Sequence, residues 1–284
     1  MKSLRELYGR GRALLRGLPG TDPALESRLL LQAASGIGPA AFWSSPEAGV
    51  PGAVERRFLA LIARRRARFP LAYILGEREF WSLSFAVTPA VLVPRPETEL
   101  LVEKALAFAP RGKAALIVEI GTGSGAVAVA LARELPDARI VATDISRRAL
   151  AVARANAARH GARVEFAATD LLRGLTDRFG PAGADLVVSN PPYVAEGEWP
   201  SLPPEVRREP KRALVAGPTG LEFTRRLISG AAGLLRPGGR LLFETGRGRA
   251  RASLRLFDAA WDEKQAFKDL RGIDRVVAAR KRAG

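Results

Sequence analysis

The sequence predicts an α/β protein: a mainly parallel, seven-stranded sheet with helices on both faces, preceded by a small helical N-terminal domain and a β-hairpin linker. Three observations carry this. Residues 1–75 place apolar side chains at helical spacing between Pro- and Gly-rich breaks. Residues 76–95 are rich in aromatic and β-branched residues, as a hairpin requires. From Ala114 onward, short apolar runs alternate with helical stretches, the pattern of βαβ units and a parallel sheet. The division expected is therefore 1–75, 76–95 and 96–284.

In the first segment, Leu25, Leu29, Leu30 and Ala33 share one helical face, and so do Val54, Phe58, Leu61 and Ile62. Thr21-Asp22-Pro23 supplies a cap followed by an early proline. In the second segment, Phe80, Trp81, Leu83, Phe85, Val87 and Val91 to Val93 form a hairpin with its turn at Thr88-Pro89-Ala90. Pro94-Arg95-Pro96-Glu97-Thr98-Glu99 then opens a helix through Leu100, Leu101, Val102 and Ala105. Strands follow at 114–120, 138–144, 163–169, 184–190 and 239–245, with a final pair at 265–270 and 275–281. The intervening helices cover 125–134, 147–159, 221–235 and 250–260.

Composition removes several chemistries. A chain of 284 residues with 47% hydrophobic and 26% charged residues has material for a sizeable core. It has no cysteine, so disulfides, Cys-zinc sites and cysteine nucleophiles are excluded. The one histidine, His160, falls at the end of a helix and reads as a C-terminal or surface residue. No carboxylate cluster suggests a metal, and no run approaches the roughly 18 apolar residues of a membrane span. With no targeting segment at the N-terminus, the expected location is cytoplasmic. The net charge of +16 suits a polyanion or an acidic partner, but the basic residues are spread along the chain. No basic stripe interleaved with aromatics is visible, so nucleic acid is not expected as the principal substrate.

The residues after the first strand of the alternating region suggest a ligand. Glu119-Ile120-Gly121-Thr122-Gly123-Ser124-Gly125 puts glycine at every second position, where the backbone turns tightly and a ligand can lie against it. Asp144 ends the next strand about 20 residues on, where a carboxylate can accept both hydroxyls of a ribose. The loop has no phosphate-binding lysine. A nucleoside pocket without a phosphate grip fits S-adenosylmethionine, whose cationic sulfonium tolerates Glu119 nearby. Asp170, after the third strand, could accept the adenine amino group or cap a helix, and Leu171 could pack on the ring.

Asn190-Pro191-Pro192-Tyr193 closes the apolar run 184–189. Two prolines stop the strand and stiffen its exit, presenting an amide and an aromatic ring at the carboxyl end, where open α/β sheets bind ligands. Such a corner suits a planar –NH2 group held by both hydrogens, and so points to reaction at an amide or aromatic amine nitrogen. A Pro-Pro-Tyr loop could also serve partner recognition, a reading that leaves the glycine loop and Asp144 unexplained.

Together these residues resemble the class I methyltransferases that modify nitrogen on planar groups. Residues 76–83 (Gly76-Glu77-Arg78-Glu79-Phe80-Trp81-Ser82-Leu83) and 92–99, the segment Glu205 to Pro210 with Ala213-Leu214, and the ending Asp269…Gly272…Asp274-Arg275 are similar to the release factor glutamine methyltransferase family. The resemblance implies a Rossmann-like methyltransferase domain with S-adenosylmethionine as cofactor and S-adenosylhomocysteine as product. It implies as partner a peptide chain release factor, methylated on the glutamine of its Gly-Gly-Gln loop and docked by the helical domain. It implies that Gly121 to Gly125 hold the methionine part, Asp144 the ribose and Leu171 the adenine side. Asn190 would touch both cofactor and substrate, and Asn190 to Tyr193 would form the glutamine site. Pro94, Arg95 and Glu97 would close over the pocket. The chain departs from the family at Glu119, often Asp there, and at Leu171, often aromatic. An amino-methyltransferase acting on adenine or guanine in RNA or DNA is the alternative.

Overall fold

A computed structural model describes residues 1–110, 115–179 and 183–283; Ala114, where the first predicted strand begins, and the terminal Gly284 lie outside the described residues. The chain divides into two compact units, Met1–Gly76 with Pro203–Arg208, and Glu77–Leu202 with Glu209–Gly284.

The first unit is helical: α1 (Leu4–Leu15), α2 (Pro23–Ser35), α3 (Pro39–Ser44), α4 (Gly52–Arg66) and α5 (Leu71–Leu75). Helix α1 starts at a capping box, the Ser3 hydroxyl accepting from the Glu6 N–H and the Glu6 carboxylate from the Ser3 N–H. Asp22 caps α2 through the N–H groups of Ala24 and Leu25, and Gly36 ends it in the left-handed region. The core is Leu4, Leu7, Leu15, Leu30, Leu31, Phe42, Phe58 and Ile62. Helix α2 buries a different face from the one its leucines predict. Leu25 is 42% exposed, while Glu26 and Ser27 are buried. The cause is Arg65, buried on α4, whose Nε lies 2.7 Å from Glu26 and whose Nη1 lies 2.8 Å from Glu205. Glu205 belongs to the returning segment, which is thereby tied to this unit by Arg65 and Arg68. A buried arginine must be paired, and that requirement outranks the placement of one leucine.

The second unit opens with the hairpin β1 (Glu77–Phe80) and β2 (Leu83–Ala86). Its turn is Trp81-Ser82, with φ of 52° and 56°, and not Thr88-Pro89-Ala90. Positive φ at both positions is the type I′ form of a two-residue hairpin turn, a strain that tertiary contacts must hold in non-glycine residues. Here Glu99 accepts the Trp81 backbone N–H at 2.9 Å and Glu134 accepts its indole N–H at 2.7 Å. Residues 91–93 are consequently not a strand.

Beyond it come a short 3-10 turn at Pro96–Thr98, α6 (Glu99–Phe108), β3 (Leu116–Ile120), α7 (Ala126–Glu134), β4 (Arg139–Asp144), α8 (Arg147–Arg159) and β5 (Val164–Ala168). The remaining helices and strands, with short 3-10 turns between β7 and β8, are α9 (Leu175–Phe179), β6 (Ala184–Ser189), β7 (Val194–Ala195), β8 (Val215–Gly217), α10 (Glu222–Leu234), β9 (Leu235–Glu244), α11 (Ala250–Leu254), β10 (Trp261–Lys268) and β11 (Asp274–Lys281). The seven-stranded sheet runs β10-β11-β9-β6-β3-β4-β5. The five strands β9, β6, β3, β4 and β5 are parallel, and β11 is antiparallel to both neighbours. Side chains alternate between two cores. Leu186 and Val188 of β6 pack with α6, α7 and α8, while Val187 packs with α10 and α11.

The predicted helix to residue 260 stops at Leu254, because Phe257 and Trp261 turn into the second core and the last strand pair begins at Trp261. His160 caps the end of α8 and bonds the Ser84 carbonyl at 2.8 Å. The chain leaves β5 at one edge and re-enters as β6 on the other side of β3. The carboxyl ends of β3 and β6 therefore flank the switch point, where a crevice forms.

Candidate active site

That crevice is a cleft with about 990 Å³ free of protein atoms, counting the open solvent at its mouth, walled by the ends of β3, β4, β5 and β6. On one side the Gly121 and Thr122 N–H groups both donate to the Thr143 carbonyl at 2.8 Å, folding the loop onto the end of β4. Gly121, Gly123 and Gly125 all have φ between 55° and 82°. A side chain at Gly121 or Gly123 would meet nothing within 4 Å, so this face of the loop is open. Gly125 stands behind it, with a Cβ only 3.1 Å from Ala153.

Asp144 accepts from the Gly123 N–H at 3.0 Å and the Ser146 N–H at 2.8 Å. Burial raises its pKa, which those bonds and Arg212 pull back down. Glu119 is 2% exposed and accepts from the Thr122 hydroxyl at 2.6 Å and the Ala128 N–H at 3.1 Å, at the start of α7. Burial pushes it up to about 7, against those two bonds and with help from Asp144. At the end of β5, Asp170 lines the cleft but its carboxylate meets Arg226 at 2.7 Å on an exposed edge. Leu171 is buried with φ of 54° and also lines the wall.

On the other side the Ser189 hydroxyl donates to the Ile120 carbonyl, locking β6 to β3. Asn190 and Pro192 line the cleft. Pro191 is buried, and Tyr193 turns its hydroxyl to Glu244 at 3.4 Å. The Tyr193 ring rests against Gly246, where a Cβ would sit 2.9 Å from the ring. The Tyr193 and Val194 N–H groups both donate to the Leu214 carbonyl, which fixes the exit of the tetrapeptide through the β7–β8 pair. Asn190 donates through Nδ2 to the Thr98 Oγ1 at 3.0 Å, and Thr98 donates to Glu244 Oε2 at 2.5 Å. Glu244 is 2% exposed, and burial pushes it up to about 7 against Thr98 and Arg275. Burial likewise raises the Tyr193 phenol.

Most of the residues singled out in the sequence thus meet in one cleft: Glu119, Gly121 to Ser124, Asp144, Asp170, Leu171, Asn190, Pro192 and Pro94. Arg95 instead pairs with Glu209 at 2.5 Å, whose other oxygen takes the Val93 N–H. Glu97 lies near enough to raise Glu244. Thr98, Glu244, Ile145 and Arg212 escaped the sequence reading. Thr98, Ile145 and Arg212 line the cleft, Ile145 while 57% exposed. Glu244 had a visible signal, an acid closing the apolar strand Leu241-Leu242-Phe243. Among the described residues no group of three or more His, Asp or Glu could hold a metal, and no helix is long and apolar enough to cross a membrane.

Residues 96–217 match the methyltransferase small domain, and residues 6–76 match the PrmC N-terminal domain. A Pyrococcus furiosus methyltransferase structure is similar in fold, with a TM-score of 0.53 and 18% identity over 79% of this chain and 98% of its own. Fold and domain match define a Rossmann-like class I methyltransferase. The release factor glutamine methyltransferase of Geobacter sulfurreducens is 43% identical over 90% of this chain and 89% of its own. That of Moorella thermoacetica is 42% identical over 99% of both chains. The chain belongs to the release factor glutamine methyltransferase family.

Proposed function

We propose that this protein transfers a methyl group from S-adenosylmethionine to the side-chain amide nitrogen of the glutamine in the Gly-Gly-Gln motif of peptide chain release factors, leaving S-adenosylhomocysteine. One observation carries the reading: the Asn190 amide, held by Thr98, opens on the same cleft as the glycine loop and Asp144. The residues present fit the cofactor. The open glycine face accommodates a chain lying against backbone, and Asp144 stands where ribose hydroxyls are taken. Glu119 and Asp144 are acids suited to a cation, and residues 121–125 contain no lysine for a phosphate. Gly121 to Ser124 would hold the methionine part, Asp144 the ribose, and Ile145, Asp170 and Leu171 the adenine side. When bound, S-adenosylmethionine supplies an electrophilic methyl on a sulfonium that departs neutral, so no acid is needed for the leaving group.

An amide nitrogen is a weak nucleophile, since its lone pair is delocalised into the carbonyl. The task of the protein is orientation and stabilisation of the positive charge that develops there as the N–CH3 bond forms and the S–CH3 bond breaks; one of the two amide hydrogens then leaves as a proton to solvent, giving the neutral N-methyl amide. The Asn190 side-chain carbonyl and the Pro191 backbone carbonyl accept the two hydrogens of the glutamine –NH2. Both are acceptors fixed before substrate arrives, Asn190 by Thr98 and Pro191 by its own ring and that of Pro192. Tyr193, backed by Gly246, flanks the planar amide. Alignment of this kind is worth about 7–11 kcal/mol of a barrier.

The test is incubation with labelled S-adenosylmethionine and, separately, release factor, a Gly-Gly-Gln peptide, rRNA and DNA. Label is expected in the release factor. Label in RNA or DNA alone would support the base-modifying reading, to which the +16 charge gives some weight. Asn190→Ala should lower turnover by about a hundredfold or more, with cofactor affinity changed only a few-fold. Methylation by that variant at the wild-type rate would refute the role of Asn190.

A further inference from the structure

We infer that Thr98 and Glu244 are positioning residues that fix which end of the Asn190 amide faces the reacting nitrogen; the inference rests on the function proposed above. Thr98 has a single hydroxyl hydrogen. Its oxygen lies 2.5 Å from Glu244 Oε2, and in the ionised form of Glu244, the form the relay requires and Arg275 favours, that oxygen can only accept. That hydrogen is therefore committed to Glu244, and the lone pairs of Thr98 are what Asn190 meets at 3.0 Å. Only the –NH2 end of the amide can bond to a lone pair. A flipped Asn190 would set its oxygen against the Thr98 oxygen, acceptor against acceptor, at a threonine only 4% exposed. The polarity of the carboxylate thus passes through one hydroxyl to Asn190 and leaves Oδ1 as the end free of Thr98. Oδ1 is the atom that must accept a substrate hydrogen.

The rest of the Glu244 environment fits this task. Its hydrogen bonds run to the two hydroxyls of Thr98 and Tyr193, and so to the first and last residues of the tetrapeptide. Arg275 favours the charged form and Glu97 opposes it. Gly246, two residues on, gives the Tyr193 ring room to settle over the same strand end. A glutamine at 244 would carry a donor as well as an acceptor. It could donate to Thr98, free the hydroxyl hydrogen and reverse the relay.

Two readouts on the full-length protein test this. The first needs no substrate: the side-chain amide resonances of Asn190 and their hydrogen exchange, measured by NMR. Thr98→Val and Glu244→Gln should shift these resonances and speed their exchange, while Thr98→Ser should not. Unchanged resonances and exchange in both disruptive variants would overturn the relay, whatever the substrate of the enzyme. The second is steady-state methylation of release factor. Thr98→Val should lower kcat by about a hundredfold, the loss expected from misplacing a reacting group by about 1 Å. Glu244→Gln should cost about tenfold or more, as for one hydrogen bond to a charged group. KM for the cofactor should hold, and Thr98→Ser should recover most of the rate. A normal kcat in Thr98→Val, with active wild type, refutes the relay alone. A wild-type enzyme inactive on release factor refutes the proposed function, and the NMR result still decides the relay.

Discussion

Glu119 and Glu244 lie at or next to the carboxyl ends of β3 and β9, on either side of β6, and burial pushes both to about 7. They are held in different ways. The partners of Glu119 are Thr122 and Ala128, three and nine residues away, on the loop and helix that follow its own strand. The partners of Glu244 are Thr98 and Tyr193, 146 and 51 residues away. The side of the cleft proposed for the cofactor is thus assembled locally and largely from backbone, by glycines at positive φ and by N–H groups. The side proposed for the substrate is assembled from side chains that only the finished sheet brings together. The first should be broken by changes to the backbone and the second by the loss of single functional groups.

Gly125→Ala is the strongest way to sharpen that contrast. The residue has φ of 82°, and its Cβ would press on the Cα and Cβ of Ala153 at 3.1–3.2 Å. The left-handed conformation alone costs about 1–2 kcal/mol for an L-residue, and backbone contact adds to it. The expected result is a stability loss of roughly 2 kcal/mol and cofactor affinity weakened about tenfold or more, read by thermal unfolding and calorimetry. A variant with normal affinity but lowered kcat would mean that the two sides are not separately built.

The same contrast explains what the sequence disclosed. Glycines at every second position, an acid about 20 residues later and Asn-Pro-Pro-Tyr after an apolar run are local patterns, and Gly121, Gly123, Asp144, Asn190 and Pro192 of them line the cleft. Thr98 is hidden because it sits in the segment Pro96-Glu97-Thr98-Glu99, where a threonine reads as a helix start. Only the pairing of β6 with β9 sets it between Asn190 and Glu244. The hairpin turn was hidden for a related reason, since Trp81-Ser82 is held at positive φ by Glu99 and Glu134 and not by its own chemistry. In α2 the apolar spacing misled, because a periodicity count cannot see that Glu26 has Arg65 as its partner.

A pH experiment separates the two glutamates. Each has a folded pKa near 7, above the ordinary 4.5. Each therefore contributes stability that is full below pH 4.5 and lost as pH rises through 7, where a buried group must ionise. A cationic ligand beside Glu119 favours its charged form and lowers that pKa. Cofactor affinity should then rise with pH up to about 7, by at most about tenfold per unit, and level off above. Glu119→Gln should flatten the rise, whereas Glu244→Gln should leave it. A slope that survives Glu119→Gln, measured by titration calorimetry from pH 5.5 to 8.5, would remove Glu119 from the cation's surroundings.

The smallest effect concerns Asp170, where the two sides of the cleft give way to surface. Its carboxylate meets Arg226 at 2.7 Å, but both side chains are about half exposed, 46% and 57%. Exposed pairs of this kind are worth about 0.2–1 kcal/mol, so Arg226→Ala should barely move the melting temperature. Its effect on the cofactor is more telling. If Asp170 takes the adenine amino group, Arg226 competes for the same carboxylate, and its removal should leave affinity equal or slightly improved. Asp170→Asn keeps one acceptor oxygen but loses the charge, and should weaken binding a few-fold. Were Arg226→Ala to weaken binding as much as Asp170→Asn, the ion pair itself would be the structural element. The adenine side would then rest on Ile145 and Leu171, by apolar contact alone.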